Sequence, residues 1–421
     1  MEARIIRRSL VTIAVGLAMG SAGVAHATNG YFAHGYGTKA KGMGGVGMAI
    51  SQDAYAPGIN PAGIAGMETR IDGSLAYFRP ERSVTFENQM GSMTVDSGSE
   101  DFFIPSFGYV QQIDSNRSWG IALLGNGGMN TDYPGYMTGD PNCDQGGGGI
   151  FCGGPAGVDL EQLAIIPTYA QQSANGGFSV GFSPIISYQR FSAKGLGAFQ
   201  GMSSDPENLT NNGTDTTWGY GAQIGFQAEL AESVTLGGSY RTKIRNSEFD
   251  DYSGLFADGG SFDIPSTLGL GIAVDVTPSI TVSADYTRIN YSEIDSISNP
   301  SMTGMPFGAE GGPGFGWRDI GVFKIGAQFE TANDWTWRVG YNRGQNPIHA
   351  RDVTLNILAP AVMEDHFTAG FTKAFGQHEL NFAAMYAPSK SVSGAHMMQQ
   401  GTDVKIEMEQ YELEIGYAYR F

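Results

Sequence analysis

The sequence predicts an all-β fold: a transmembrane antiparallel β-barrel of about fourteen strands with an N-terminal hatch, or plug, in its lumen. Two observations carry this. Residues 411–421 alternate, with Tyr411, Leu413, Ile415, Tyr417, Tyr419 and Phe421 apolar and Glu412, Glu414, Gly416, Ala418 and Arg420 between them. A side-chain period of two sets each group on its own face, which suits a strand standing between lipid and a polar lumen. A soluble sandwich strand could alternate too, but has less reason to finish on an aromatic residue. The second observation is that the links between strand candidates alternate in length. Short ones fall near 114–117, 172–176, 231–232, 277–278, 331–333 and 376–378. Long ones fall near 81–100, 127–158, 193–215, 247–261, 291–316, 344–362 and 388–404. Outer-membrane barrels have short periplasmic turns and long extracellular loops, so both termini are expected in the periplasm.

Taken in chain order, residues 1–27 read as a secretory signal. Arg4, Arg7 and Arg8 precede an apolar stretch from Leu10 to Gly20, and Ala25-His26-Ala27 forms an A-x-A cleavage site. No later segment offers about 18 uncharged apolar residues in a row, so membrane entry must be by a closed barrel that satisfies its own backbone. The formal net charge is −18, and loss of the signal makes the chain more acidic still. Such acidity argues against nucleic acid as a partner. The 62 glycines and slightly negative mean hydropathy agree with a wall in which only alternate residues meet lipid. Cys143 and Cys152 are the only cysteines and lie in a Gly-rich stretch of an exported chain, which points to a local disulfide. No zinc site is expected there, because no histidine or further cysteine is near.

Residues 28–69 are not strand-like. They are too apolar and Gly-rich for a solvated tail, and the lumen is their natural place, since side chains alone would not fill so wide a barrel. Gly42, Gly44 and Gly47 match G-x-G-x-x-G formally. Without a preceding strand or a βαβ pattern they read as packing glycines rather than a dinucleotide site. Residues 70–421 form the expected barrel. Its clearest strand runs through Trp218, Tyr220, Ala222, Ile224, Phe226 and Ala228, with Gly and Gln opposite. Similar runs hold Leu268, Leu270 and Ile272, then Trp335, Trp337, Val339 and Tyr341, then Phe367, Ala369, Phe371 and Phe375.

The chain resembles the outer-membrane transporters of long-chain fatty acids and hydrocarbons (the FadL and toluene-uptake type). The resemblance rests on Gly42 to Met48, Asp53-Ala54, Asn60-Pro61-Ala62-Gly63, Tyr240-Arg241-Thr242, Gly316-Trp317-Arg318-Asp319, Trp337-Arg338-Val339-Gly340-Tyr341 and Phe421. It implies a fourteen-stranded barrel with a hatch, a hydrophobic groove on the third and fourth extracellular loops, and sideways exit through a kinked third strand. Gly125-Asn126-Gly127-Gly128-Met129, after the third strand candidate, lacks the aromatic residue this pattern would place there.

Capture of a hydrophobic ligand needs apolar groups on outer loops. The third long loop carries Leu196, Phe199 and Met202, and the fourth carries Leu255 and Phe256. They either line a groove or pack beneath their own loops. Strict alternation through Val234, Leu236 and Tyr240 would turn Arg241, Lys243 and Arg245 to the lumen. These cations could hold a fatty carboxylate, or pair with luminal acids such as Asp275, Asp285, Glu412 or Glu414. Arg338 has the same two readings. In the hatch, Asn60, Pro61 and Ala62 read as a conformational element. Tyr31 and Phe32 are placed in an apolar luminal pocket by the resemblance.

The function expected is passive, hatch-gated uptake of a fatty acid or an uncharged hydrocarbon by a monomer in outer-membrane lipid, without cofactor and without catalysis. Two rivals are weaker. Gly177-Phe178-Ser179-Val180-Gly181 matches the G-x-S-x-G of hydrolases, yet it lies inside a clean strand alternation. An open porin for polar solutes would not need the apolar insert of residues 28–69.

Overall fold

Fourteen long strands close into one antiparallel sheet in the computed structural model, which describes residues 28–89, 91–139 and 141–421. The signal-like residues 1–27 lie outside the described residues. In chain order the wall strands are β1 (Arg70–Asn88), β2 (Phe102–Gln112), β3 (Arg117–Tyr133), β4 (Ala156–Gln172), β5 (Phe178–Lys194), β6 (Asp215–Ala231) and β7 (Val234–Arg241). There follow β8 (Thr267–Thr277), β9 (Ile280–Ile289), β10 (Ile320–Thr331), β11 (Trp335–Gly344), β12 (Asp365–Phe375), β13 (His378–Ala395) and β14 (Asp403–Arg420). Each pairs with its sequence neighbours, and β1 pairs with β14 from Arg70–Arg420 to Glu87–Asp403, so the sheet closes on itself. Two short pieces, Gly91–Asp96 and Arg245–Asn246, complete the sheet.

Alternation turns directly into two faces. Trp218, Tyr220 and Ile224 on β6 point outward and are exposed, while Thr217, Gly219, Gln223 and Gly225 point inward and are buried. Leu268, Leu270, Trp337, Val339, Leu413, Ile415 and Tyr417 join the same outer apolar surface. No described helix is long and apolar enough to span a bilayer.

Two link expectations are corrected. The first long link, 81–100, is largely strand: β1 continues to Asn88 and Gly91–Asp96 folds back on it. The last, 388–404, shrinks because β13 and β14 stay paired as far as Ala395–Asp403 after an irregularity between Ala387 and Lys390. Ladder hydrogen bonds run on there beyond the point where apolar alternation fades.

Gly-Asn-Gly-Gly in β3 makes a bulge. Gly125 faces Leu163 and Gly127 faces Gln162, leaving Asn126 as the extra residue. An inserted residue reverses which side chains face inward: Ala122 and Leu124 point in before it, Met129, Thr131 and Tyr133 after it. Gly127 is needed here, because a Cβ would lie 2.3 Å from the Tyr31 carbonyl oxygen. The same stretch leaves β2. Their pairing runs only from Gln112–Ser118 to Phe107–Leu123, so the upper parts of β2 and β3 form an unpaired seam.

Candidate functional site

Residues 28–67 fill the lumen. They carry a one-turn helix at Thr38–Gly42 and tight turns at Ala56–Gly58 and Pro61–Ile64, and most are buried. Asn60 anchors the lower part of this plug. Its Oδ1 accepts from the Ala62 N–H at 3.0 Å, and its Nδ2 donates to the carbonyls of Met48 (2.7 Å) and of wall residue Phe226 (2.9 Å). Pro61 at the first helical position needs no donor partner.

A second set of ties is ionic. Lys41 bonds both Glu412 (2.6 Å) and Glu414 (2.7 Å), and Lys39 bonds Glu379 (2.7 Å), which also receives Arg70 (3.1 Å). Burial pulls the Lys41 ammonium down, but the two glutamates more than offset this and hold it above its ordinary value. Burial, then the neighbouring Asp72, pushes the Asp53 carboxyl up to about 7. Arg338 faces the lumen and donates to Gln52 of the plug at 3.2 Å and to Thr372 at 2.7 Å.

A third set forms a polar row across four adjacent strands: Asp285, Lys324, Asn342 and His366 are successive register partners on β9 to β12. Asp285 accepts from the N–H groups of Gly47 (2.7 Å) and Met48 (3.0 Å), and Lys324 donates to the carbonyls of His34 (2.9 Å) and Gly45 (3.2 Å). The G-x-G-x-x-G segment is thus docked backbone. Burial, then Lys41 and Lys324, holds the His34 imidazole well below its usual value.

Between plug and wall lies a cavity lined by Phe32, Tyr36, Met48, Ile59, Arg241 and Lys324, among others. Arg241 donates to Gln223 (3.0 Å), to Asn126 of the bulge (3.1 Å) and to the plug carbonyl of Gly58 (2.8 Å). The expected cationic stripe is not intact. Arg241 sits opposite Gln223 but Arg245 sits opposite the outward Tyr220, so one extra residue intervenes and Arg245 emerges on the outer face. Lys243, in the irregular stretch, pairs with Asp263 at 3.2 Å. Glu412 and Glu414 pair with the plug instead of the stripe.

Above the cavity, the loop residues form a roof. Leu196, Phe199 and Phe256 are buried and Leu255 half-buried. Phe199 meets Phe151 (5.1 Å) and Phe307 (5.2 Å), and Phe256 meets Phe191 (4.7 Å) and Phe262 (4.8 Å). Met202 is exposed. These side chains fill one another's space rather than lining an open groove. Tyr31 enters the underside of the roof among Phe32, Phe262, Tyr291 and Trp317, at ring separations of 5.0–6.2 Å. Cys143 and Cys152 are joined as a disulfide in the second long loop. Ser179 lies within the regular β5 ladder, opposite Gln227, and not on a strand-to-helix turn.

Lys324 and Tyr291 were not among the expected site residues, and Asn126 stood only in the glycine-rich stretch after the third strand candidate. Lys324 was legible by parity, between outward Phe323 and Ile325. Tyr291 and Asn126 occupy a loop and a bulge, where periodicity gives no direction.

The fourteen-stranded antiparallel wall is shared with known proteins. Residues 23–421 match the family model for outer membrane protein transport proteins (OMPP1/FadL/TodX). The chain belongs to this family. Among its relatives, the long-chain fatty acid transport protein of Escherichia coli K12 is 22% identical over 423 residues, covering 89% of this chain and 88% of that one. The Salmonella typhi protein of the same name is 22% identical over 413 residues, with the same coverage of both chains. The crystal structure of the Pseudomonas putida toluene transporter TodX superposes with a TM-score of 0.70 at 19% identity, covering 92% of this chain and 99% of that one. A Pseudomonas aeruginosa FadL homologue gives 0.67 at 16% identity, covering 93% and 100%. This family member therefore shares its barrel with TodX and with the FadL homologue.

Proposed function

We propose that the protein is a plug-gated channel for passive uptake of hydrophobic molecules, with long-chain fatty acids as the substrate class. One observation carries the reading: the two cations lining the lumen cavity, Arg241 and Lys324, are also ties that hold the plug, at Gly58 and at His34 and Gly45. A carboxylate binding there competes with the plug carbonyls, so occupancy loosens the gate. Charge-assisted bonds to a carboxylate are stronger than bonds to a neutral carbonyl, which gives the exchange its direction. The long loops face outward, both termini are periplasmic, and residues 28–69 act as the hatch of a monomer. The fatty-acid names of the curated relatives support the substrate class.

A second reading, uptake of uncharged hydrocarbons, draws on the toluene-transporter neighbour and the apolar remainder of the lining. Titration of purified protein with oleate and with toluene separates them. Replacing Arg241 and Lys324 by Gln should weaken oleate binding about tenfold or more and leave toluene unchanged. Equal effects on both favour the hydrocarbon reading. High single-channel conductance for small ions would sink the plugged barrel altogether.

A further inference from the structure

A further cation, away from the Arg241–Lys324 cavity, faces the interior. Arg82 of β1 is 4% exposed and surrounded by members of the apolar interior: Phe78 and Val84 on its own strand, its register partner Met408 on β14, and Phe102 on β2, whose ring centroid lies 5.7 Å from the guanidinium. Nη1 donates to the Asn130 carbonyl of β3. Among the described residues, Nε and Nη2 have no hydrogen-bond partner, and neither has the hydroxyl of the fully buried Tyr133, which stands close enough to interact electrostatically with the guanidinium. Glu100, the acid that could approach from the first long loop, is bound to Arg79 at 2.7 Å.

Leaving a buried guanidinium half-satisfied is costly, so it calls for an anionic partner. The two vacant donors are those that form a side-on fork. Arg70 uses the same pair on Asp72, Nε at 2.7 Å and Nη2 at 2.8 Å. Two parallel N–H groups match the two oxygens of a carboxylate, and a tyrosine hydroxyl adds a third donor. The place is informative as well. Arg82 reaches Asn130 on the upper part of β3 and Phe102 on the upper part of β2, so it stands behind the unpaired seam between those strands.

We propose that Arg82 and Tyr133 form a carboxylate-binding station at the β2–β3 seam, separate from the Arg241–Lys324 cavity, which receives the head group of a fatty acid whose chain lies in the surrounding apolar cluster. This rests on the uptake function and narrows it to carboxylate-bearing substrates. The test uses mature protein in detergent, with oleate labelled with 13C at the carboxyl and oleyl alcohol as the uncharged counterpart. Two bound carboxyl resonances are expected. Arg82→Gln should abolish one and weaken that binding event about tenfold or more, while oleyl alcohol affinity stays within about twofold. Arg241→Gln should abolish the other. Tyr133→Phe should shift the Arg82-dependent resonance, and this milder variant reads the site if Arg82→Gln fails to fold. An unchanged spectrum in folded Arg82→Gln, or an equal loss for oleyl alcohol, overturns the station and leaves the uptake function standing. Wild-type protein that binds neither probe overturns the uptake function itself.

Discussion

At Gly225 the absence of one methyl group decides whether the plug fits. A Cβ there would lie 2.0 Å from Asn60 Oδ1 and 2.9 Å from the Pro61 ring. Gly225→Val is expected to cost about 1–3 kcal/mol of plug docking through overpacking. Proteolysis of residues 28–69 in the folded barrel measures it, with faster cleavage in the variant. Asn60→Ala removes a cap and two donor bonds, and should cost about 1–2 kcal/mol by the same assay. Asn60-Pro61-Ala62 could be recognised in the sequence because such residues shape backbone locally. Its partner could not: parity says only that Gly225 is luminal, and nothing local says what it touches.

Individual elements show where alternation stops informing. Strict parity turns Arg241, Lys243 and Arg245 to one side, yet one extra residue sends Arg245 outward. The apolar residues of the third and fourth long loops were legible as apolar, but whether they pave a groove or a roof depends on Phe151, Phe307 and Phe191 from elsewhere in the chain. The plug offers an element-scale prediction in pH. His34 is docked with a depressed pKa, so its contribution is present above about 6.5 and is lost as pH falls below that toward the docked value. Asp53 is docked with a raised pKa near 7, so its contribution is present below about 3.9 and is lost as pH rises through 7. Between these limits the two slopes oppose, and amide protection factors across residues 34–60 (exchange relative to the free-peptide rate at the same pH) should vary little with pH. Asp53→Asn removes one slope. Its plug amides should then lose protection as pH falls from about 6.5, by up to about tenfold per unit in protection factor; a flat protection profile would contradict the assignment.

For the whole molecule, the barrel was readable because lipid outside and a polar lumen inside force every strand to declare two faces. Contacts such as Lys41 with Glu412 join opposite ends of the chain, and no local pattern announces them. The disulfide is a local matter by comparison. Closing so short a loop should stabilise the second long loop by about 2.5 kcal/mol. Reduction should raise exchange at residues 141–152 and leave the melting temperature of the barrel unchanged.

The ties of Lys39 and Lys41 to β13 and β14 also bear on assembly order. Where the last strand meets the first, Asp72, Glu379, Glu412 and Glu414 converge, and the two plug lysines share the task of neutralising them with Arg70. A chain that tried to seal its cylinder before the plug arrived would press like charges together in a poorly hydrated space. On the proposed gating reading the plug is thus also a closing partner, and a chain starting at residue 70 should insert with its first and last strands unzipped.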